Sequence, residues 1–172
     1  SLSSLLEIQE LDFAATAAQK RSDSLPERNL LIKLSARITR SRAELAAAQA
    51  EQKQIEEEEE ALGAAVAELN SAIEAADVER YSGKRIDRDE ASEHDTEQTK
   101  RRGEKAAIEE KEMELLESME AAENKAAKID AEIKEIHAEG VSVQSGVRAV
   151  EAEVAAELEE IAKKRMALAT GL

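Results

Sequence analysis

Cysteine and tryptophan are missing from this sequence, and proline, phenylalanine and tyrosine occur once each. Without cysteine, no disulfide and no thiolate metal site can form within the 172 residues. Without aromatic bulk, a compact core lacks the side chains that fill it; a helical rod, which buries only one stripe per helix, needs far fewer. No uncharged stretch approaches the ~18 apolar residues of a membrane span, and no basic-then-apolar signal peptide opens the chain. These absences favour the cytoplasm. A chain that opens on Ser1 rather than Met reads as trimmed or partial. The net charge of −15 disfavours non-specific attachment to DNA or anionic lipid, so a nucleic-acid contact would need a local basic patch.

What the sequence has in abundance is helix former. Ala, Glu, Lys, Leu and Arg make up 105 residues, beyond the roughly half that marks a coiled coil or long helix. Steps of three and four from Leu31 to Arg80 visit fifteen positions, eleven of them apolar: Leu31, Leu34, Ile38, Leu45, Ala48, Ile55, Leu62, Val66, Leu69, Ile73 and Ala76. Seven unbroken heptads predict a left-handed coiled-coil seam. A second run steps from Leu115 through Ile129, Ile136, Val147, Val154, Glu157, Ile161 and Lys164 to Leu168. Its β-branched residues suit a seam, where the partner helix fixes the rotamer.

Between the runs, Gly83 can end a helix at positive φ, and Asp87 with Glu90 resembles a capping box. A connection this short joins antiparallel neighbours. The expected fold is all-α: one long antiparallel coiled-coil helical hairpin spanning 1–172. Arm one covers 4–81, the tip 82–87 and arm two 88–170. Ser4 and Glu7 form a capping box at the start, and Ile8, Leu11, Ala15, Ala18, Ser22 and Leu25 form a stripe out of phase with that of Leu31. Pro26 separates the two. Paired about the tip, it faces the glycine-containing stretch from Gly140 to Gly146, so the hairpin is expected to be kinked near Pro26 and Gly140. The same pairing sets the stripe Leu62, Val66, Leu69 and Ile73 against Ala107, Gly103, Lys100 and Thr96. That leaves apolar surface for a partner helix or for a second copy in a homodimer.

Four segments carry a family resemblance: Leu5-Leu6-Glu7-Ile8-Gln9-Glu10-Leu11-Asp12, Leu25-Pro26-Glu27, Arg80-Tyr81-Ser82-Gly83 and Glu114-Leu115-Leu116-Glu117-Ser118-Met119-Glu120. In this order and spacing they resemble the bacterial C4-type zinc-ribbon proteins that carry an N-terminal coiled-coil hairpin, in particular their actinobacterial branch. The resemblance implies a non-enzymatic protein that binds nucleic acid or transcription-related partners. It also implies one zinc, held by two cysteine pairs of a C-terminal ribbon that this chain lacks. Relatives place leucines just after the tip, where this chain has Asp89-Glu90-Ala91-Ser92-Glu93-His94-Asp95.

Candidate binding residues gather around the tip: Arg80, Tyr81, Lys84, Arg85 and Arg88, with Lys100, Arg101, Arg102 and Lys105 behind. They read either as a phosphate-backbone contact or as solvated charge, since acidic residues are interleaved. Tyr81 would stack on a base or pack against the turn. Lys33, Arg37 and Arg40 share a helix face and read as salt-bridge partners of Asp130, Glu132, Glu135 and Glu139. The run Glu56–Glu60 points all around a helix axis, so it reads as solvated surface rather than a metal site. His94 and His137 lack a ligand-like partner spacing, and no catalytic triad, P-loop or GxGxxG is present. The chain therefore reads as a binding arm for a protein partner or nucleic acid, with no enzymatic site, no metal site and no membrane contact. The alternative is a structural rod that oligomerises through its helices.

Overall fold

The computed structural model describes residues 1–83 and 85–171. Three helices account for almost all of it: α1 (Leu2–Asp23), α2 (Pro26–Tyr81) and α3 (Arg88–Thr170). The fold is an all-α coiled-coil hairpin, and the chain divides into two units. One joins Ser1–Arg42 to Ala131–Leu172; the other is Ala43–Asp130.

In the first unit, α1 and the start of α2 lie in turn along the last part of α3. Asp12 accepts from Arg165 at 2.7 Å, Arg21 meets Glu157 at 2.9 Å, Arg28 meets Glu151 at 2.9 Å and Arg37 meets Glu132 at 3.6 Å. Partner numbers fall steadily as residue numbers rise. The chain therefore keeps its direction past Pro26 instead of folding back. The hydrogen bond and charge of Asp12 hold the Arg165 guanidinium above its ordinary pKa. Ala18, Ser22, Leu34, Ser41, Ile136, Val147, Val154 and Ile161 form the buried stripe of this unit.

The helix start and the Pro26 junction differ from the sequence expectation. Ser1, not Ser4, caps α1, its hydroxyl accepting from the Ser4 amide. At Pro26 the defect is a two-residue interruption, Ser24-Leu25, that divides arm one into two helices. Leu25 precedes proline and is sterically pushed away from α geometry, while Pro26, with no N–H to lose, suits the first turn of α2. Pro26 cannot donate to the Ser22 carbonyl four residues back. Arg28 takes over that role: its Nε donates to the Ser22 carbonyl at 3.0 Å while its Nη2 pairs with Glu151.

The interruption lies opposite the stretch of α3 between Glu151 and Glu157, which pair with Arg28 and Arg21. It does not lie opposite Gly140 and Gly146, as pairing about the tip predicts, and α3 stays helical through both glycines. A Cβ added at either glycine meets nothing within 4 Å. Helix propensity then decides the effect of substitution. Gly140→Ala with Gly146→Ala should stabilise the chain by about 1–2 kcal/mol, read as a higher urea midpoint at unchanged m-value.

The second unit is the tip half of the hairpin. Ile55, Leu115 and Ala122 form its buried cluster, with Leu62 and Met119 packed against it. All fifteen heptad positions from Leu31 to Arg80 are buried or half-buried across the two units, so the spacing sets the buried face of α2. On α3 the spacing holds from Leu115 to Val154. It then slips: Glu157 and Lys164 are exposed and Leu158 turns inward. Glu157 is free to pair with Arg21 for that reason.

Candidate functional site

At the tip, α2 ends where Gly83 takes φ +89, a conformation that strains any side chain. The Ser82 hydroxyl donates to the Glu79 carbonyl at 3.0 Å, and the Asp87 carboxylate caps α3 by accepting from the Glu90 amide at 2.8 Å. Both stop and start signals come from short polar side chains competing for backbone groups.

Behind the turn the seam is polar, and its facing residues are not those expected. Thr96, Lys100, Gly103 and Ala107 are exposed. The heptad of α3, continued backwards from Leu115, turns Glu112, Ile108, Lys105, Arg101, Gln98, His94 and Ala91 inward instead. The Gln98 side chain is buried, and its amide donates to the Ile73 carbonyl and to Asp77 Oδ1, both at 2.9 Å. Arg101 donates to Gln98 Oε1 at 3.0 Å, and Arg102 pairs with Asp77 Oδ2 at 3.3 Å. His94 Nε2 donates to the Ala76 carbonyl at 2.9 Å. A carbonyl only accepts, so this nitrogen carries the proton. The distal third is thus tied by a hydrogen-bonded network that fixes register, as a buried polar residue does in other coiled coils.

These contacts sort the predicted residues. Lys84 lies outside the described residues. Arg101 and Arg102 are engaged internally, and Lys100 is exposed. Arg85 and Arg88 are exposed, and Arg80 lies with its guanidinium carbon 5.7 Å from the centre of the Tyr81 ring. Tyr81 does not pack against the turn; it is 78% exposed, and Val78, one turn back on the same face, is 66% exposed. Leu62, Val66, Leu69 and Ile73 are half-buried, not open. In the acidic run only Glu59 turns into the seam, where its Oε1 has no hydrogen-bond partner among the described residues.

The structure adds Gln98 and Asp77, which the sequence pattern does not single out, and gives His94, weighed there only as a ligand, a place in the seam. The signal was available, since stepping by three and four back from Leu115 lands on Gln98 and His94. Glu79, Arg80, Arg85, Ile86, Glu90 and His94 line one cleft of about 540 Å³ at the tip. No three His, Asp or Glu side chains converge as a metal site requires among the described residues. With no thiolate present either, the residues here do not fit the zinc that the family resemblance implies.

The comparisons with known proteins bear on the hairpin itself. The family described as CT398-like coiled coil hairpin domain matches residues 8–172. The chain belongs to that family. A solved structure from Mycobacterium smegmatis, described as a structural characterization, superposes on this CT398-like hairpin with a TM-score of 0.72. At 22% identity that likeness shows the fold; it covers 99% of this chain and 70% of the other. No curated protein matches. No helix among the described residues is long and apolar enough to cross a membrane.

Proposed function

We propose that this hairpin is a non-enzymatic binding arm that engages a protein partner through its tip. One observation carries the reading: Val78 and Tyr81 stand 66% and 78% exposed on one face of the last turns of α2, beside a seam tied by hydrogen bonds. Exposed aromatic side chains on a rigid support are what protein interfaces use as anchors. The basic residues support a nucleic-acid partner less well, because Arg101 and Arg102 are engaged and acidic residues surround Arg85 and Arg88. Self-association through Leu62, Val66, Leu69 and Ile73 is supported less as well, since α3 half-covers them. The resemblance to zinc-ribbon proteins supports a cytoplasmic, transcription-related setting, in which the hairpin is the arm and a separate ribbon holds the zinc.

The test is capture by the immobilised hairpin from nuclease-treated cell extract, read by mass spectrometry. Val78→Ser with Tyr81→Ser should lower capture of the partner at least about tenfold, equivalent to about 1.4 kcal/mol, with helicity unchanged by circular dichroism. Capture that disappears with nuclease and falls steeply with salt would assign the tip to nucleic acid. Capture indifferent to the double substitution would remove the tip from the interface.

A further inference from the structure

Toward the tip, the side of α2 that faces away from the seam is both apolar and acidic. Ala64, Ala67, Ser71, Ala75, Val78 and Tyr81 recur at steps of three and four, so they share one face, and all six are exposed. The half-buried seam residues Leu62, Val66, Leu69 and Ile73 lie on the other side of the helix. Val78 and Tyr81 close the stripe with large side chains, while the residues before them are no bigger than serine. Side chains this small let a second helix approach to the short end of the usual ~8–10 Å axis separation. The edges of the stripe carry charge of one sign. From Gln54 to Glu79 there are nine acidic residues and no basic one. Glu60 leads into the stripe, and Glu68 and Glu74 flank it, all three exposed. A solvated helix face gains from a lysine or arginine four residues after a glutamate. Here Ala64 follows Glu60 and Val78 follows Glu74 at that spacing. Among the described residues none of the three glutamates forms an ion pair; the salt bridge that reaches this half of α2 joins Arg102 to Asp77 instead.

We infer that this face docks a basic amphipathic helix of the partner protein. The apolar stripe of that helix packs on Ala64, Ala67, Ala75 and Val78, and its Lys and Arg side chains meet Glu60, Glu68 and Glu74. Charge selects the occupant. An acidic helix or a nucleic acid would add negative charge to a face with nothing to neutralise it. The same face of a second copy would bring the same glutamates together. Arg80, the first basic residue after Lys53, lies beside Tyr81, so the complementary stretch ends at the tip.

The inference rests on the reading of the tip as a protein-binding surface and deepens it by naming the partner's chemistry. Fluorescent synthetic peptides test it by anisotropy titration against the full chain. The first is an amphipathic helix with leucines at heptad spacing, flanked by Lys and Arg. The second keeps the leucines and replaces the basic flanks with Glu. The third scrambles the first, so that the charge is kept and the stripe is lost.

The first peptide should bind saturably, with a Kd of about 100 μM, and the other two at least about tenfold more weakly. Glu68→Lys with Glu74→Lys should weaken the first peptide about tenfold and strengthen the second by a similar factor. Both changes lie on the exposed face, so helicity by circular dichroism should not move. No saturable binding of the first peptide, equal binding of the scrambled one, or indifference to the charge reversal would each overturn the site. So would a chain that sediments as a dimer on its own and as a monomer after the charge reversal, since a second copy would then occupy the face. Capture from extract keeps the two readings apart. Capture lost with Val78→Ser and Tyr81→Ser but unchanged by the charge reversal removes the basic helix and leaves the protein-binding tip. Capture indifferent to both, with peptide binding intact, leaves the basic-helix site and removes the tip.

Discussion

Truncating Ile136 to Ala should lower the unfolding free energy by about 2–4 kcal/mol, among the largest effects expected of a single substitution in this chain. Ile136 is 2% exposed, and it is a bulky aliphatic residue in a stripe that relies heavily on Ala18, Ser22 and Ser41. A two-helix seam has no second layer that can collapse into the space left behind. Urea denaturation followed by circular dichroism measures the loss. Val141→Ala, at a position 55% exposed, should change the unfolding free energy by less than about 0.5 kcal/mol and serves as the control. Equal effects at the two positions would mean that the buried face of α3 is misassigned.

The second large effect is expected at Arg28. Replacing it with Met keeps the apolar stem but removes the donor that serves the Ser22 carbonyl. The expected cost is about 1–2 kcal/mol, most of it from the orphaned carbonyl, because the ion pair with Glu151 is well exposed and worth little. A cycle with Pro26→Ala isolates the cause. Alanine restores a backbone N–H that can reach Ser22, so the Arg28→Met penalty should shrink by about 1 kcal/mol in that background. Strict additivity of the two changes would mean that Arg28 acts only through Glu151.

The α2 stripe was legible in the sequence because period alone sets which face is buried, and Leu31 to Arg80 keep the period without a break. The turn was legible for a similar reason: Gly83, Asp87 and Glu90 act on backbone groups within a few residues of themselves. Three features were not. The two-residue interruption at Ser24-Leu25 depends on how the Ser22 carbonyl is satisfied, and its donor comes from a side chain six residues away. The slip from Glu157 to Leu158 follows from pairing with α1, whose phase differs from that of α2. The polar seam at the tip escaped a search for apolar residues, because Gln98 and His94 hold seam positions by hydrogen bonds instead of hydrophobic contact. The candidate cleft was only half legible. Arg80 and Arg85 stood out as charges, but the place of His94 in its wall is visible only once the ring is seen to donate to Ala76.

The polar network also has a consequence for the order in which the chain folds. Its bonds between α2 and α3 join residues 18 to 25 apart, whereas the ion pairs of Arg28 and Arg165 join residues 123 and 153 apart. Closing a loop roughly six times longer costs about 1.6 kcal/mol more in chain entropy, so the contacts near the turn can form earliest. The seam with the least apolar burial thus sits where closure is easiest. Gln98 and His94, by fixing register there, would set the alignment for every heptad that closes after them. A one-step misalignment at the start would be inherited along the full length of α3, and directional hydrogen bonds discriminate against it more sharply than interchangeable leucines would.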